Sequence, residues 1–298
     1  MKLYAPKYYK EFKCIADKCE HSCCIGWEID VDSATFEKYQ TLNGDYAEVI
    51  KNSISTDGTP HFRLCERDRC PHLDERGLCK IILNVGEGYL CDICREHPRF
   101  YNFTSVAEVG IGISCPEAAR VILSSEDYAT TEYIGEVDAE ADDIDFDGLA
   151  HRQKIYEILQ NTELDYSSRL ENIRHTYSID PKSDASMLDA LNSLEYLDPD
   201  HKKLFMSFTS NRCGCENDKY DKYLERFLAY MIYRHCTEAV DMEDLRARLS
   251  FCLFCEQLLS SLALSESAGT LREIAHLASI ISEEIEYSDD NTLTLTYQ

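Results

Sequence analysis

Ten of the fifteen cysteines fall between Cys14 and Cys115, roughly a third of this 298-residue chain. Thiols at such density either cross-link as disulfides or hold metal, and the redox compartment decides between the two. Residues 1–9 contain no apolar run, so no secretory signal peptide is expected. The expectation is a cytoplasmic chain with reduced thiols, and hence metal.

Thiolates are soft ligands for zinc and for iron–sulfur clusters, and four of them close a tetrahedral site or hold a [4Fe–4S] cube. Cys91-x2-Cys94 and Cys19-x3-Cys23 have ligand-like spacing, but no single run supplies a complete ferredoxin set. Position 26 is Gly, which breaks the Cys-x3-Cys-x2-Cys triplet of radical enzymes. A site must therefore be assembled across the fold. Cys23 and Cys24 are adjacent and point in different directions in an extended chain, so one can ligate while the other packs or serves a second metal. Cys236, Cys252 and Cys255 lie on helical apolar faces and read as small core hydrophobes. Cys213-Gly-Cys215 is too tight for an ordinary zinc knuckle. His72 and His97 read as neighbours of ligands or as surface groups. Glu108-Val-Gly-Ile-Gly112 faintly resembles a methyltransferase glycine-rich loop, without a clear βαβ unit around it.

The net charge of −25, with no compensating basic block, argues against nucleic acid as the principal partner. No run of 18 apolar residues suggests a membrane span. Residues 121–147 carry ten acids and no base, which reads as a solvated linker or a surface for a basic partner. Asp32-Ser33 offers caps for a helix over 33–41, and a second helix is expected over 45–54. Short strands are expected at 27–31 and 61–64, a helical turn at 90–96, and a helix over 117–124 started by Pro116. From 148 onward the apolar period is helical, most clearly at Tyr220–Ile232, Leu245–Leu262 and Leu271–Ile285. The alternating tail Thr292–Tyr297 suggests a strand or a disordered end. The expected fold is mainly α: a cysteine-rich metal-binding domain with short strands over 1–124, an acidic linker over 125–147, and a helical domain over 148–298.

The ordered set Cys14, Cys19, Cys23-Cys24-Ile-Gly-Trp27, Cys70-Pro-His-Leu73, Leu78-Cys79, Leu90-Cys91-Asp-Ile-Cys94-Arg-Glu-His-Pro-Arg99 and Ser114-Cys115-Pro-Glu-Ala-Ala-Arg120 resembles the flagellin lysine-N-methylase (FliB-like) family. Its core is also similar to small cysteine-rich domains regarded as zinc- or iron-chelating. The resemblance covers residues 1–123 closely and the helical half only in outline. It implies methyl transfer from S-adenosylmethionine to lysine ε-amino groups of a protein substrate, with flagellin the family's substrate, and an iron–sulfur (4Fe–4S) cluster, or zinc as the alternative. It further implies Cys70, Cys79, Cys94 and one of Cys23 or Cys24 as chief ligands, with Cys14, Cys19, Cys91 and Cys115 as a second tier. For the cofactor, Glu117 could accept from the ammonium and Arg120 could fork onto the carboxylate; the alternative is an ordinary i, i+3 surface pair. Two non-enzymatic readings stand beside this one, a metal or cluster carrier and a redox sensor using Cys91 and Cys94.

Overall fold

The computed structural model describes residues 1–19, 21–141, 145–209 and 218–297. The chain divides into two compact units, Lys13–Phe100 and, from both sides of it in sequence, Met1–Phe12 with Tyr101–Gln298. The architecture is mainly α with a small sheet, as expected. The first strand, β1 (Lys2–Pro6), belongs to the larger unit although it opens the chain.

The smaller unit carries α1 (Ser33–Thr41), α2 (Asp45–Ser53), the two-residue ladder of β2 (Ile54–Ser55) and β3 (His61–Phe62), then α3 (Lys80–Val85) and α4 (Asp92–Glu96). The Asp32 carboxylate starts α1 by accepting from the Thr35 N–H at 2.9 Å, and its second oxygen accepts from the Asp92 N–H at 2.9 Å at the head of α4. One side chain thus joins two helix starts 60 residues apart. The strand expected over 27–31 is not formed: only isolated bridges, Ile25 to Arg69 and Asp30 to His61, hold that stretch. Ile29 and Val31 still turn inward, so the alternation was real while the ladder was not.

The sheet joins β4 (Arg99–Phe103), which starts at the end of the smaller unit's segment, with β5 (Ala107–Ile111), β1 and β6 (Thr131–Glu136) of the larger unit in the order β4-β5-β1-β6. β1 runs parallel to β5 and antiparallel to β6. Around them lie α5 (Pro116–Ser124), α6 (Gly148–Leu159), α7 (Tyr166–Tyr177), α8 (Asp184–Ser193), α9 (Pro199–Phe205), α10 (Asp218–His235), α11 (Met242–Ser265), α12 (Leu271–Ile281) and α13 (Asp289–Thr296). α5 packs on α10 and α12, and α11 packs between α10 and α12.

The sheet takes β1, β5 and β6 away from any cysteine domain or linker, so the unit boundary falls near residue 100 rather than 124. Residues 131–136, inside the expected acidic linker, pair with β1. Glu108–Gly112 is no cofactor loop: β5 is buried along its whole length, and Glu108 forms a two-toothed ion pair with Arg152 of α6 at 2.6 Å on both arms. Of the tail, residues 292–296 are helical because Ser288 caps α13 and the Asn291 amide donates to the carbonyls of Glu195 and Glu284 at 2.7 Å. By length and composition α11 could cross a membrane, yet 72% of its most apolar window is buried inside the unit, which fits a core helix.

Candidate functional site

Five cysteines of the smaller unit share one core. Cys70 and Cys91 are buried in it with Ile29, Tyr39, Ile50, Phe62 and Leu73, and Cys24, Cys79 and Cys94 pack against it. Short backbone clamps deliver them. The Cys70 N–H donates to the Cys24 carbonyl at 2.8 Å, which fixes the first cysteine block to the second. Leu73 bridges to Cys79 and the Lys80 N–H donates to the His72 carbonyl at 2.7 Å, folding 73–79 into a hairpin. Its turn is closed by Asp74, which accepts from the N–H groups of Arg76 and Leu78 and pairs with the Arg76 guanidinium at 2.9 Å. Cys79 and Cys91 are the residues before α3 and α4, and Cys94 lies one turn beyond Cys91 on the same face.

The thiols act on one another. Burial pushes Cys70 up to about 11, with Cys79, Cys91 and Cys65 adding to the rise and the His72 N–H opposing it. Burial also raises Cys79, against hydrogen bonds from the Ile82 and Ile81 N–H groups. Cys94 is raised chiefly by its hydrogen bond to Cys91, and that bond holds Cys91 below the ordinary thiol range. The Tyr39 hydroxyl donates to the Tyr89 carbonyl at 2.6 Å and lies 3.6 Å from the Cys91 sulfur. Cys23 is exposed and hydrogen-bonded through its thiol to the inward Cys24, so the vicinal pair splits between surface and core. The Trp27 indole N–H pins that turn by donating to the Cys23 carbonyl at 2.8 Å.

His72 has no ligand role in this arrangement. Ser53 spends its hydroxyl proton on the Ile50 carbonyl at 2.6 Å, so it accepts from His72 Nε2 at 2.8 Å. Nδ1 is then left to accept from the Tyr46 hydroxyl at 2.9 Å. Burial keeps the ring neutral, its pKa lowered to about 4. Burial lowers His97 similarly, to about 4.

Cys14 is exposed and Cys19 half-buried, and neither is among the side chains packed on this core. Cys115 belongs to the larger unit, just before α5. Cys236, Cys252 and Cys255 are buried among the helices, with the Cys236 and Cys252 sulfurs 3.8 Å apart. Cys213 and Cys215 lie outside the described residues. Glu117 and Arg120 occupy each other: Arg120 donates through Nε and Nη2 at 2.8 and 2.6 Å, with Arg120 half-exposed and Glu117 mostly covered. Among the described residues, no three His, Cys, Asp or Glu side chains converge closely enough to form a ready-made metal-binding group. The donors fit a thiophilic metal in kind, being thiols that can supply soft thiolate ligands. Tyr39, Tyr46 and Ser53 are partners that spacing did not reveal, because nothing local distinguishes Tyr39 from the other eighteen tyrosines.

No protein-family model and no solved structure matches the chain. Over 132 residues it is 28% identical to a lysine-N-methylase of Salmonella typhimurium and equally to one of Salmonella choleraesuis. Each match covers 41% of this chain and 32% of the relative, so the shared region is about a third of those enzymes. The flagellar biosynthetic protein FliU of Salmonella muenchen is also 28% identical over 132 residues, here covering 77% of that protein.

Proposed function

We propose that the chain is a protein-lysine N-methyltransferase of the flagellin-modifying type, using S-adenosylmethionine, with the smaller unit holding a thiolate-bound iron–sulfur cluster or zinc. The observation that carries the reading is the 132-residue similarity to lysine-N-methylases; FliU, named for flagellar biosynthesis, supports a flagellar protein as substrate. Thiols held as metal ligands must stay reduced, so the cytoplasm is the proposed compartment.

A substrate lysine with pKa about 10.4 arrives protonated, and freeing its lone pair at pH 7 costs about 4–5 kcal/mol. The protein must supply that by desolvation or by a neighbouring base, and must hold the amine in line with the methyl group it accepts. S-adenosylmethionine, when bound, supplies an activated methyl on a sulfonium. Arg120 and Glu117 are the proposed holders of its carboxylate and ammonium. Each would first have to exchange its present partner, since they are paired with each other. Incubation with labelled S-adenosylmethionine and flagellin is the test. Label on flagellin lysine supports the reading, and its loss in Arg120→Lys with fold intact supports the assignment of Arg120. A protein that binds no S-adenosylmethionine and labels nothing falls to the second reading, a metal or cluster carrier, which the shared thiol core favours.

A further inference from the structure

Strand β6 is the terminal strand of the sheet, and none of its six residues is buried. Its hydrogen bonding toward β1 can be read from both ends. The Lys7 N–H donates to the Thr130 carbonyl at 3.0 Å at one end. At the other, the Met1 amino group donates to the Val137 carbonyl at 2.6 Å and the Val137 N–H to Met1 at 3.0 Å. Antiparallel strands alternate bonded and non-bonded residue pairs. With Ala5 opposite Glu132 and Leu3 opposite Gly135, those residues of β6 face β1. Thr131, Tyr133 and Glu136 therefore direct their N–H and C=O groups away from the sheet. Gly135, at φ +152°, accommodates the irregularity where the register shifts between Leu3 and Tyr4.

Such an edge is a template for another strand, and proteins ordinarily blunt it with lysine or proline. Here the strand has neither, and carries instead its glutamates and the irregularity at Gly135. Glu126, Asp127, Glu132, Glu136, Asp138 and Glu140 surround it in sequence. Lys7 and Lys10 answer Asp127 and Glu132 at 3.2 and 2.8 Å, and the other four make no ion pair among the described residues. Tyr133, 53% exposed and packed edge-on against Tyr4 at 5.9 Å, adds an aromatic face on which a lysine stem can lie. A second copy added edge to edge would set acids against acids, so self-pairing is disfavoured.

We infer that the outer edge of β6 binds an extended, lysine- or arginine-bearing segment of a partner protein by strand addition. Main-chain bonds to Thr131, Tyr133 and Glu136 set the register, and the acids select the cationic sequence. The inference rests on the sheet edge and its charge and needs no methyl transfer, so it is tested without S-adenosylmethionine and its failure leaves the methylase reading standing.

The probe is a fluorescent peptide of about eight residues alternating lysine and valine, titrated with the full chain. Expected are saturable binding that weakens about tenfold or more between about 0.05 and about 0.3 M salt, and no binding of the matching glutamate peptide. A peptide N-methylated on alternate backbone amides should lose binding with no change in the protein. Tyr133→Ala and Tyr133→Pro both lose the ring that packs on Tyr4, and only the proline also loses the outward N–H, so the proline variant should bind several-fold more weakly than the alanine variant at matched melting temperature. Binding that survives N-methylation reports a merely acidic surface and overturns the inference. Equal binding of the glutamate peptide, or a concentration-dependent dimer broken by Tyr133→Pro, overturns it as well.

Discussion

Asp32 puts one carboxylate on two helix starts, and the cost of removing it follows from that geometry. Against the burial that would raise it, the N–H groups of Asp92 and Thr35 hold its carboxyl below the ordinary carboxylate range. A cap is worth about 1 kcal/mol, so Asp32→Ala should cost about 2 kcal/mol, measured by urea unfolding, with the loss concentrated near Cys91 in hydrogen exchange. Because the folded pKa is depressed, this stabilisation is present above the unfolded value of about 3.9 and fades as pH falls through it. An Asp32→Ala variant that differs equally from wild type at pH 7 and pH 3 would refute the assignment. The local half of this was legible, since Asp32-Ser33 before an apolar period is a helix start. The bond to Asp92 was not, because a contact across 60 residues leaves no mark on spacing.

The five-residue π turn Ser282–Glu286 at the end of α12 sorts three neighbouring glutamates into different roles. Glu284 accepts from the Leu197 and Asp198 N–H groups at 2.8 and 3.1 Å and from His201 at 2.6 Å, tying the α8–α9 turn to it. Glu286 is held at about 2: burial would raise it, but the Arg234 guanidinium and the His235 hydrogen bond prevail. Its contribution is full above about 4.3 and is lost as pH falls toward 2; Glu286→Gln should cost about 3–5 kcal/mol at pH 7 by removing the buried carboxylate that pairs with Arg234 and accepts from His235. Glu283 goes the other way, pushed by burial up to about 7. The folded state then keeps a proton the unfolded chain releases near 4.3, so stability falls as pH rises from about 4.3 to about 7. Glu283→Gln should flatten that window and gain about 1–2 kcal/mol at pH 8, the figure reduced for its partial exposure. Identical pH–stability curves for wild type and Glu283→Gln would exclude it. At the start of α6, a Cβ on Gly148 would lie 2.2 Å from the Thr237 carbonyl oxygen, so Gly148→Ala should destabilise by about 1–3 kcal/mol. A melting temperature unchanged in that variant would show that the backbone gives way freely. The helices carrying these residues were visible from their 3.6 period, and α1, α5, α10, α11 and α12 lie close to their expected bounds. β1 and β6 were not, because pairing partners more than a hundred residues apart confer no local period.

For the molecule as a whole, the division into two units decides where metal should act. The cysteines were visible as one dense third of the sequence, but the structure parts them: Cys115 stands in the larger unit, and Cys23, Cys24, Cys70, Cys79, Cys91 and Cys94 in the smaller. No spacing rule reveals such a cut, since it depends on β1 and β5 pairing across the whole smaller unit. Ligand-linked folding is local: an ion bound by the native thiols and not by the unfolded chain stabilises the unit that contains them. We therefore expect a thiophilic metal to protect amides of Lys13–Phe100 from hydrogen exchange, while a strong chelator deprotects them by several kcal/mol and leaves Tyr101–Gln298 unchanged. Single Ser replacements at Cys70, Cys79 and Cys94 should abolish both the metal content of anaerobically purified protein and that protection. Replacement at Cys236, whose sulfur faces Cys252 in the helical core, should cost stability in the larger unit and leave metal content intact. Replacement at Cys115 separates the two remaining possibilities. Full retention of metal there would confine the site to the smaller unit, and loss would overturn that confinement. If chelation shifts neither unit and the three Ser variants match wild type in metal content, the shared thiol core is packing alone.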